Sequence, residues 1–466
     1  SGPAGQRAAV QAKKIGKNVA VIEQRTAVGG VSVHTGTIPS KTLREAALYL
    51  SGWNQRGLYG HSYRLKKQVT LEDLINRLNI TLTHEVEVIR AQLARNNAVV
   101  IHGTATFVDA NTIKVESETG EINQYTADKF LIATGTRPIR PENITFDNET
   151  IIDSDGVMNL KKLPHTMAII GAGVIGVEYA SIFSILDIKV TLVDGRPNIL
   201  SFLDYELVEE LTHLMRENKI ILRLGEKVAE VNHNSSGHVI TVLESGKRLC
   251  TDLVLVAAGR IGCTYGIKPE NAGVKTDEQR RIKVNEHFQT EVPHIYAAGD
   301  VIGFPSLAST SMEQGRRAAC HAFGASSTIQ QQFFPFGIYA VPEISTIGMN
   351  EQELTEKKIP YETGVARIRE TARGQIMGLE NGILKLLIGL DDRKILGVHI
   401  IGEGATELIH IGQAVLVLDG KLDYFLENVF NYPTLAEAYK IAALDAWNRI
   451  SCLNGNESEE SPGCAI

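Results

Sequence analysis

One glycine-rich segment has the spacing of a phosphate-binding turn. Gly171, Gly173 and Gly176 follow an apolar run at residues 167–170 and precede a helical stretch at residues 177–186. In such a turn the first glycine permits the tight bend, the second lets the backbone approach a pyrophosphate, and the third lets the helix pack against the strand. The free N–H groups at the start of the helix then favour an anion.

An acidic residue stands where a ribose would need it. Asp194 ends the next strand, about 20 residues after the glycines, where a carboxylate accepts a hydrogen bond from a ribose 2′-OH. Arg196 could instead pair with a 2′-phosphate, and Arg260 is a further candidate for contact with the nucleotide. The segment therefore predicts a nicotinamide dinucleotide site, and its preference between NAD and NADP stays open.

A second pattern of this kind begins at the first residue. Gly2 and Gly5 precede a helical stretch and a strand that ends at Glu23, which takes the ribose-binding position. We interpret the segment as the end of another G-x-G-x-x-G whose first strand precedes residue 1, so we expect the natural N-terminus to be missing. Gly135 and Gly299 end further strands and would line the crevice of a doubly wound sheet, where Asp300 can hold a sugar-chain hydroxyl.

The elements that position these residues alternate between strand and helix. Predicted strands cover residues 18–23, 129–133, 167–170, 189–194, 253–257 and 294–298, and predicted helices cover residues 6–15, 43–49 and 70–95. Beyond about residue 330 the pattern changes to strands at 336–341, 384–388 and 395–401 and helices at 405–418 and 435–450. We therefore predict an α/β fold with two Rossmann-like, doubly wound dinucleotide-binding domains and a C-terminal α+β domain.

Composition excludes several classes of function. The chain has 466 residues, 43% hydrophobic and 22% charged, with a formal net charge of -7, which is ordinary for a soluble protein and argues against nucleic acid or an anionic membrane as partner. No apolar stretch reaches the roughly 18 residues that a membrane helix needs. Five scattered cysteines fit reduced thiols and have no metal-ligand spacing, so we predict no metal site.

At these motifs the sequence resembles the flavoprotein disulfide reductases that have two dinucleotide-binding domains. The resemblance covers roughly residues 1–450 and rests on motifs in the family's order. They are residues 2–5, Gly29-Gly30, Ile38-Pro39-Ser40-Lys41, Thr134-Gly135, residues 171–178, Gly259-Arg260, Gly299-Asp300, and Pro433-Thr434 with Glu437. The resemblance implies FAD in the first site, NAD(H) and NADP(H) as substrates in the second, and a homodimer or higher homo-oligomer.

The resemblance also implies domain boundaries and site residues. The FAD-binding domain would cover residues 1–142 and 266–335, the NAD(P)-binding domain 143–265, the dimerisation domain 336–450, and a disordered tail 451–466. The FAD site would use Gly2, Ala4, Gly5, Glu23, Gly30, Lys41, Gly135, Gly299, Asp300 and Ala308. The NAD(P) site would use Gly171, Gly173, Val174, Ile175, Gly176, Glu178, Asp194, Arg196 and Gly259.

The chain departs from the family where a disulfide would be reduced. Disulfide-reducing members carry two cysteines at the positions of Ser32 and Thr37, and neither hydroxyl can form a disulfide or a thiolate. They also place a histidine general base where this chain has Tyr432, whose unperturbed pKa near 10 is poorly matched to a thiol. Glu437, which would orient that histidine, remains.

What survives is the set of residues needed to exchange hydride between flavin and nicotinamide. We therefore expect FAD-dependent hydride transfer between NADPH and NAD+, with Lys41 and Glu178 as a catalytic ion pair by resemblance. Alternatives are an NAD(P)H-dependent reductase of quinones or other small acceptors, a dihydrolipoamide dehydrogenase, which the missing cysteines disfavour, and a non-catalytic redox-sensing module. We expect a cytoplasmic protein.

Overall fold

The computed structural model describes residues 1–326 and 333–453. Its helices are α1 Pro3–Lys14, α2 Val31–His34, α3 Thr37–Ser51, α4 Arg56–Tyr59, α5 Leu71–Arg95, α6 Val174–Ser184, α7 Tyr205–Glu217, α8 Ala308–Ala322, α9 Glu351–Glu356, α10 Ala372–Met377, α11 Ala405–Val417, α12 Asp423–Glu427 and α13 Glu437–Leu453. None of the described helices is long and apolar enough to cross a membrane.

The strands are short in the first two thirds of the chain and longer beyond it. They are β1 Ala20–Glu23, β2 Val99–His102, β3 Thr104–Phe107, β4 Thr112–Glu116, β5 Ile122–Thr126, β6 Phe130–Ile132, β7 Thr136–Pro138, β8 Ile151–Asp153, β9 Thr166–Ile170, β10 Lys189–Asp194, β11 Ile221–Leu224, β12 Val228–His233, β13 Val239–Leu243, β14 Arg248–Thr251, β15 Leu253–Val256, β16 Arg260–Gly262, β17 Ile295–Ala297, β18 Phe336–Ile338, β19 Ile344–Gly348, β20 Tyr361–Arg367, β21 Ile383–Gly389 and β22 Ile395–Ile401.

The chain folds into two compact units. The first comprises Ser1–Leu43, Thr70–Leu163 and Leu255–Gln330, and the second comprises Arg44–Val69, Pro164–Val254 and Gln331–Ile466. This division differs from the predicted domains. Residues 44–69, predicted in the FAD-binding domain, belong to the second unit, and residues 164–254 belong to the same unit as the C-terminal region. The three predicted domain boundaries therefore stay a prediction.

The first unit combines short parallel and antiparallel pairs. Strand β1 pairs in parallel with β2, β6 pairs in parallel with β17, and β3, β4 and β5 form an antiparallel sheet. Helices α1 and α8 pack closely, because Gly315 has no side chain at the crossing: a Cβ there would lie 2.0 Å from the Ala4 carbonyl oxygen. This crossing fixes the start of α1 beside the end of β17.

The second unit contains a parallel set and an antiparallel sheet. Strands β9, β10 and β11 are parallel neighbours, and β9 is an apolar strand whose Met167, Ala168 and Ile169 are fully buried. An antiparallel sheet of five strands has the order β18-β19-β22-β21-β20, and α11 and α13 pack on it around Phe425 and Tyr439. Because β9 is buried and followed at once by α6, the glycine turn between them is held on a rigid base.

Most predicted elements are confirmed to within a few residues, and three differ. The helix predicted at 43–49 begins six residues earlier and covers Thr37–Ser51. The predicted strand at 336–341 ends at Ile338, because the N–H groups of Tyr339 and Val341 donate to side chains of α6 instead of a neighbouring strand. The last helix runs to Leu453, so residues 451–453 of the expected disordered tail are helical. The rest of that tail, residues 454–466, lies outside the described residues.

Candidate functional site

The glycine turn of the second unit has the shape that a bound pyrophosphate requires. Gly171 adopts φ 107°, and a Cβ on Gly176 would lie 1.8 Å from the Gly171 carbonyl oxygen, so both positions need glycine for the fold itself. A Cβ on Gly173 would meet nothing within 4 Å. Gly173 is also the N-cap of α6, and no side chain caps that helix end. The free N–H groups and the open space fit a phosphate group.

Asp194 stands at the end of β10 with its carboxylate against this turn. Its Oδ2 accepts the Ala172 N–H at 2.6 Å, and its Oδ1 accepts the Arg196 N–H at 2.8 Å. The Arg196 side chain adds Nε to Oδ1 at 2.9 Å and Nη2 to Oδ2 at 2.7 Å. Burial alone would raise the pKa of Asp194, but the bonds from Arg196 and Ala172 outweigh it and lower that pKa. The carboxylate is therefore ionised at neutral pH.

Glu178 lies on α6, two residues after Gly176, and is 4% exposed. Its Oε1 accepts the backbone N–H of Tyr339 at 2.9 Å, and the nearby Ser181 Oγ accepts the N–H of Val341 at 3.1 Å. Ala340 lies between these two residues, and its carbonyl accepts a hydrogen bond from Arg44 Nε at 2.9 Å. Two bonds thus hold Tyr339 and Val341 against α6, and a third joins Ala340 to α3. The position of the Glu178 carboxylate depends on this segment.

Arg44 is a buried cation among carboxylates. It is 2% exposed and its Nη1 lies 3.3 Å from Glu343 Oε1. Glu343 Oε2 accepts both the N–H and the hydroxyl of Thr406 at the start of α11, at 3.1 and 2.7 Å. Burial raises the pKa of Glu403, and the neighbouring Glu343 raises it further. This network fixes the segment that contacts Glu178.

The first glycine motif forms a second uncapped helix start, in the first unit. Gly2 is the N-cap of α1 and no side chain caps it. Gly30 adopts φ 62°, and a Cβ there would lie 2.7 Å from the Gly2 Cα. A Cβ on Gly135 would meet nothing within 4 Å. The close approach of two glycine backbones beside a free helix end again fits a pyrophosphate group.

Glu23, the predicted ribose ligand of the first site, is already hydrogen-bonded. Its Oε1 accepts a hydrogen bond from the Arg25 N–H at 2.9 Å, and its Oε2 accepts one from the Ser1 hydroxyl.

Asp300 lies three residues after the end of β17, and its hydrogen bonds within the protein are long. Thr136 Oγ1 donates to its Oδ2 at 3.4 Å and Ser311 Oγ to its Oδ1 at 3.5 Å, both near the limit for a hydrogen bond. Burial raises the pKa of Asp300, which Arg260 and these hydroxyls only partly offset. Acceptor capacity therefore remains for a hydroxyl-bearing ligand. Arg260 itself is held by the Thr136 hydroxyl and carbonyl, each at 2.8 Å.

The two positions where disulfide-reducing members of the family carry cysteines have hydroxyl side chains in this chain, Ser32 and Thr37. Ser32 Oγ donates to the Gly29 carbonyl at 3.0 Å, and Thr37 begins α3, which also carries Lys41. Tyr432 is 73% exposed. Cysteines elsewhere do not replace the pair: Cys250, Cys263 and Cys320 are free thiols.

One group of carboxylates in the described residues has metal-ligand spacing, and a lysine fills it. Asp204, Glu206 and Glu351 place ligand oxygens within 4.8 Å of one another. The buried Lys385 ammonium lies 2.8 Å from Asp204 and 3.0 Å from Glu206, and it also contacts Glu351. The cation that these carboxylates bind is therefore part of the chain.

The structure brings most predicted residues together in two sets. The second unit holds Gly171, Gly173, Val174, Ile175, Gly176, Glu178, Asp194 and Arg196. The first unit holds Gly2, Ala4, Gly5, Glu23, Gly30, Lys41, Gly135, Gly299, Asp300 and Ala308, and also Gly259, which was predicted for the nucleotide site of the other set. Sequence reasoning missed Thr136, Gly315 and Arg44. Gly315 could have been noticed as a glycine inside a helix.

Comparison with known proteins shows the family of this chain. The family model for pyridine nucleotide-disulphide oxidoreductases matches residues 1–315, and the model for the dimerisation domain of that family matches residues 334–443. The chain belongs to the pyridine nucleotide-disulphide oxidoreductase family. As the dimerisation match implies for a member of this family, the protein forms a homo-oligomer.

Curated relatives within this family are similar over nearly the whole chain. A protein of Mycobacterium bovis named soluble pyridine nucleotide transhydrogenase is 52% identical, and the alignment covers 97% of each chain. A protein of the same name from Yersinia pestis is 43% identical, again over 97% of each chain.

Solved structures of this family share the fold. The HOCl-induced flavoprotein disulfide reductase RclA from Escherichia coli is 25% identical with a TM-score of 0.86, and the match covers 95% of this chain and 98% of RclA. LpdA from Mycobacterium tuberculosis has a TM-score of 0.88 at 24% identity, over 95% of this chain and 97% of LpdA, which shows the fold alone.

Proposed function

We propose that this protein is a soluble pyridine nucleotide transhydrogenase, an FAD-dependent oxidoreductase that transfers hydride between NADPH and NAD+. The observation that carries the proposal is the contrast between two parts of the chain. The second glycine motif, with Asp194 at its ribose position, is intact, whereas the disulfide positions hold Ser32 and Thr37. The curated relatives that bear the transhydrogenase name support the same activity.

The FAD group, when bound, supplies a ring that accepts hydride from one nicotinamide and returns it to another. The uncapped start of α1 with Gly2 and Gly30 would hold the FAD pyrophosphate, and Asp300 would accept from a hydroxyl of its sugar chain. The start of α8 at Ala308 also has no side-chain cap, so its free N–H groups could stabilise negative charge.

The two nicotinamide nucleotides would bind alternately at the second glycine turn. The uncapped start of α6 would bind their pyrophosphate, and Asp194 with Arg196 would bind the adenosine ribose. Lys41 and Glu178 remain our proposed catalytic residues, one to stabilise negative charge and the other to set the local field. We also propose that the homo-oligomer is a dimer formed through residues 334–443 and that the protein is cytoplasmic.

Anaerobic stopped-flow spectroscopy on the FAD-loaded protein tests this function. NADPH should bleach the flavin absorbance, and thio-NAD should then restore it with formation of thio-NADH, while lipoamide should not. Restoration by a quinone alone would replace the proposal with the quinone reductase, and restoration by lipoamide would contradict the argument from Ser32 and Thr37. Failure of both nucleotides to bleach the flavin would overturn the proposed function.

A further inference from the structure

The Asp194 carboxylate has no acceptor position left for a ribose hydroxyl. A carboxylate offers about four lone-pair sites, and Asp194 accepts four hydrogen bonds. Two come from backbone N–H groups of the turn, which cannot leave without changing the fold. The other two come from the Arg196 side chain, which is 54% exposed. Only the guanidinium can therefore give way to the 2′-OH of NAD.

The same guanidinium is placed to receive a 2′-phosphate without leaving Asp194. A guanidinium has five N–H donors, and Asp194 takes two of those on Arg196, one from Nε and one from Nη2. Three donors remain for a phosphate. While it stays in place, Arg196 also neutralises the carboxylate, which would otherwise repel the phosphate.

A second cation lies at this turn. Lys227 is the residue before β12, and its aliphatic side chain lies over Gly195, since a Cβ on Gly195 would lie 3.0 Å from Lys227 Cγ and 3.8 Å from its Cε. The Lys227 side chain is exposed, and its ammonium has no hydrogen-bond or ion-pair partner within residues 1–326 and 333–453. The neighbouring Glu226 is paired with a different lysine, because its carboxylate lies 3.0 Å from the Lys247 ammonium.

We propose that the Asp194–Arg196 ion pair is a two-position specificity element for the adenosine ribose, with Lys227 as the second phosphate ligand. Arg196 stays on Asp194 and binds the 2′-phosphate of NADP together with Lys227, and it leaves Asp194 when the free 2′-OH of NAD binds. The inference rests on the proposed function and extends it, because it says how one site accepts both substrates of a transhydrogenase.

Calorimetric binding of two nucleotide fragments to the FAD-loaded protein tests the inference. The fragments are 2′,5′-ADP and 5′-AMP, which differ only in the 2′-phosphate. The variants are Arg196→Met and Lys227→Met, with Lys189→Met as control, because Lys189 is an exposed lysine at the other end of β10. That control position is about 16 Å from Asp194, given about 3.3 Å per strand residue.

We expect Arg196→Met to weaken the binding of 2′,5′-ADP by about 10- to 100-fold, the range for hydrogen bonds to charged groups. The same variant should bind 5′-AMP as tightly as the parent protein or more tightly. Lys227→Met should weaken the binding of 2′,5′-ADP by about 3- to 10-fold and leave the binding of 5′-AMP unchanged. Lys189→Met should change neither affinity. The inference would be overturned if Arg196→Met or Lys227→Met weakened the binding of both fragments equally, or left the affinity for 2′,5′-ADP unchanged.

The measurement separates this inference from the proposed function. Neither fragment carries a nicotinamide, so a protein that binds both fragments as expected but fails to transfer hydride would contradict the function alone. A parent protein that binds neither fragment would overturn both the inference and the nucleotide site.

Discussion

The backbone N–H of Tyr339 donates a 2.9 Å hydrogen bond to the Glu178 carboxylate. The two residues are 161 positions apart in sequence, and the bond joins α6 to the segment between strands β18 and β19 of the C-terminal sheet. Arg44 holds the same segment through the Ala340 carbonyl. The proposed catalytic carboxylate is therefore positioned by backbone groups of a distant part of the chain.

Glu178→Gln should separate the charge of this residue from its structural bond. The amide oxygen of Gln can still accept the Tyr339 N–H, so the free energy of unfolding should change by less than about 1 kcal/mol. Loss of the charge should slow flavin reduction by NADPH by about 10- to 100-fold in stopped flow.

The matched control is Glu209→Gln, an exposed glutamate on α7 in the same unit. It should alter neither stability nor rate. An unchanged reduction rate in Glu178→Gln would show that the carboxylate has no catalytic role, while a large loss of stability would show that the bond to Tyr339 needs the charge.

Two glycines of the nucleotide turn should respond differently to alanine. Gly173→Ala places its methyl group in open space, so the melting temperature should not change, but the binding of NADPH and NADH should weaken by about 10-fold or more through contact with the pyrophosphate. Gly176→Ala places its methyl group 1.8 Å from the Gly171 carbonyl oxygen and should destabilise the protein by about 2 kcal/mol or more.

Differential scanning fluorimetry and nucleotide titration measure the two effects, and each variant is the control for the other. Full nucleotide affinity in Gly173→Ala would mean that the pyrophosphate does not approach this residue.

Asp300→Asn should stabilise the protein without FAD and weaken FAD binding. Burial raises the pKa of Asp300 above its unfolded value, so the ionised form is disfavoured in the folded state. Ionised Asp300 therefore lowers the free energy of unfolding once the pH rises above about 4, and this loss persists at neutral pH. Replacement with Asn should remove a cost on the order of 1 kcal/mol at pH 7, and the difference should vanish below about pH 4.

Thermal unfolding of the FAD-free protein across pH measures this effect, and flavin retention on dialysis measures FAD affinity. Asp128→Asn, at an exposed carboxyl before β6, is the control and should change neither. If Asp300→Asn retained FAD as well as the parent does, Asp300 would not be a ligand of the sugar chain.

Lys385→Met should destabilise the second unit strongly. It removes the ammonium that compensates Asp204, which is 1% exposed, and breaking a buried pair costs about 3–5 kcal/mol. Burial would lower the pKa of Lys385, but Asp204 and Glu351 outweigh burial and raise it. The stabilisation is therefore complete below the unfolded pKa and is lost only in strongly alkaline solution, so the difference from the parent should stay constant between about pH 6 and 9.

Urea unfolding over that pH range checks this prediction. The double variant Lys385→Met with Asp204→Asn should recover part of the loss, because no buried charge is then left alone. Lys394→Met, at a partly exposed lysine, should cost less than about 1 kcal/mol. A Lys385→Met loss as small as that of Lys394→Met would show that the buried carboxylates do not need the ammonium.

The local elements of the fold could be predicted because short-range patterns specify them. The apolar run before Gly171 and the alternation up to Asp194 set β9 and β10 to within one residue. Predictions were less accurate where a segment bonds to a distant residue. The strand at 336–341 was predicted too long because its apolar pattern continues past Ile338, and nothing local shows that Tyr339 and Val341 bond to Glu178 and Ser181.

The sequence by itself determined the two glycine motifs, the residues at their ribose positions and the absence of cysteines at Ser32 and Thr37, because each depends on residue type and short spacing. Only the tertiary structure decided how the side chains share their hydrogen bonds. It showed that Arg196 fills the acceptor positions of Asp194, that Lys227 lies over Gly195, and that Lys385 occupies a cluster of carboxylates. The reason is that hydrogen bonds and ion pairs depend on distances and directions in space, which the chain reaches only when remote segments pack together.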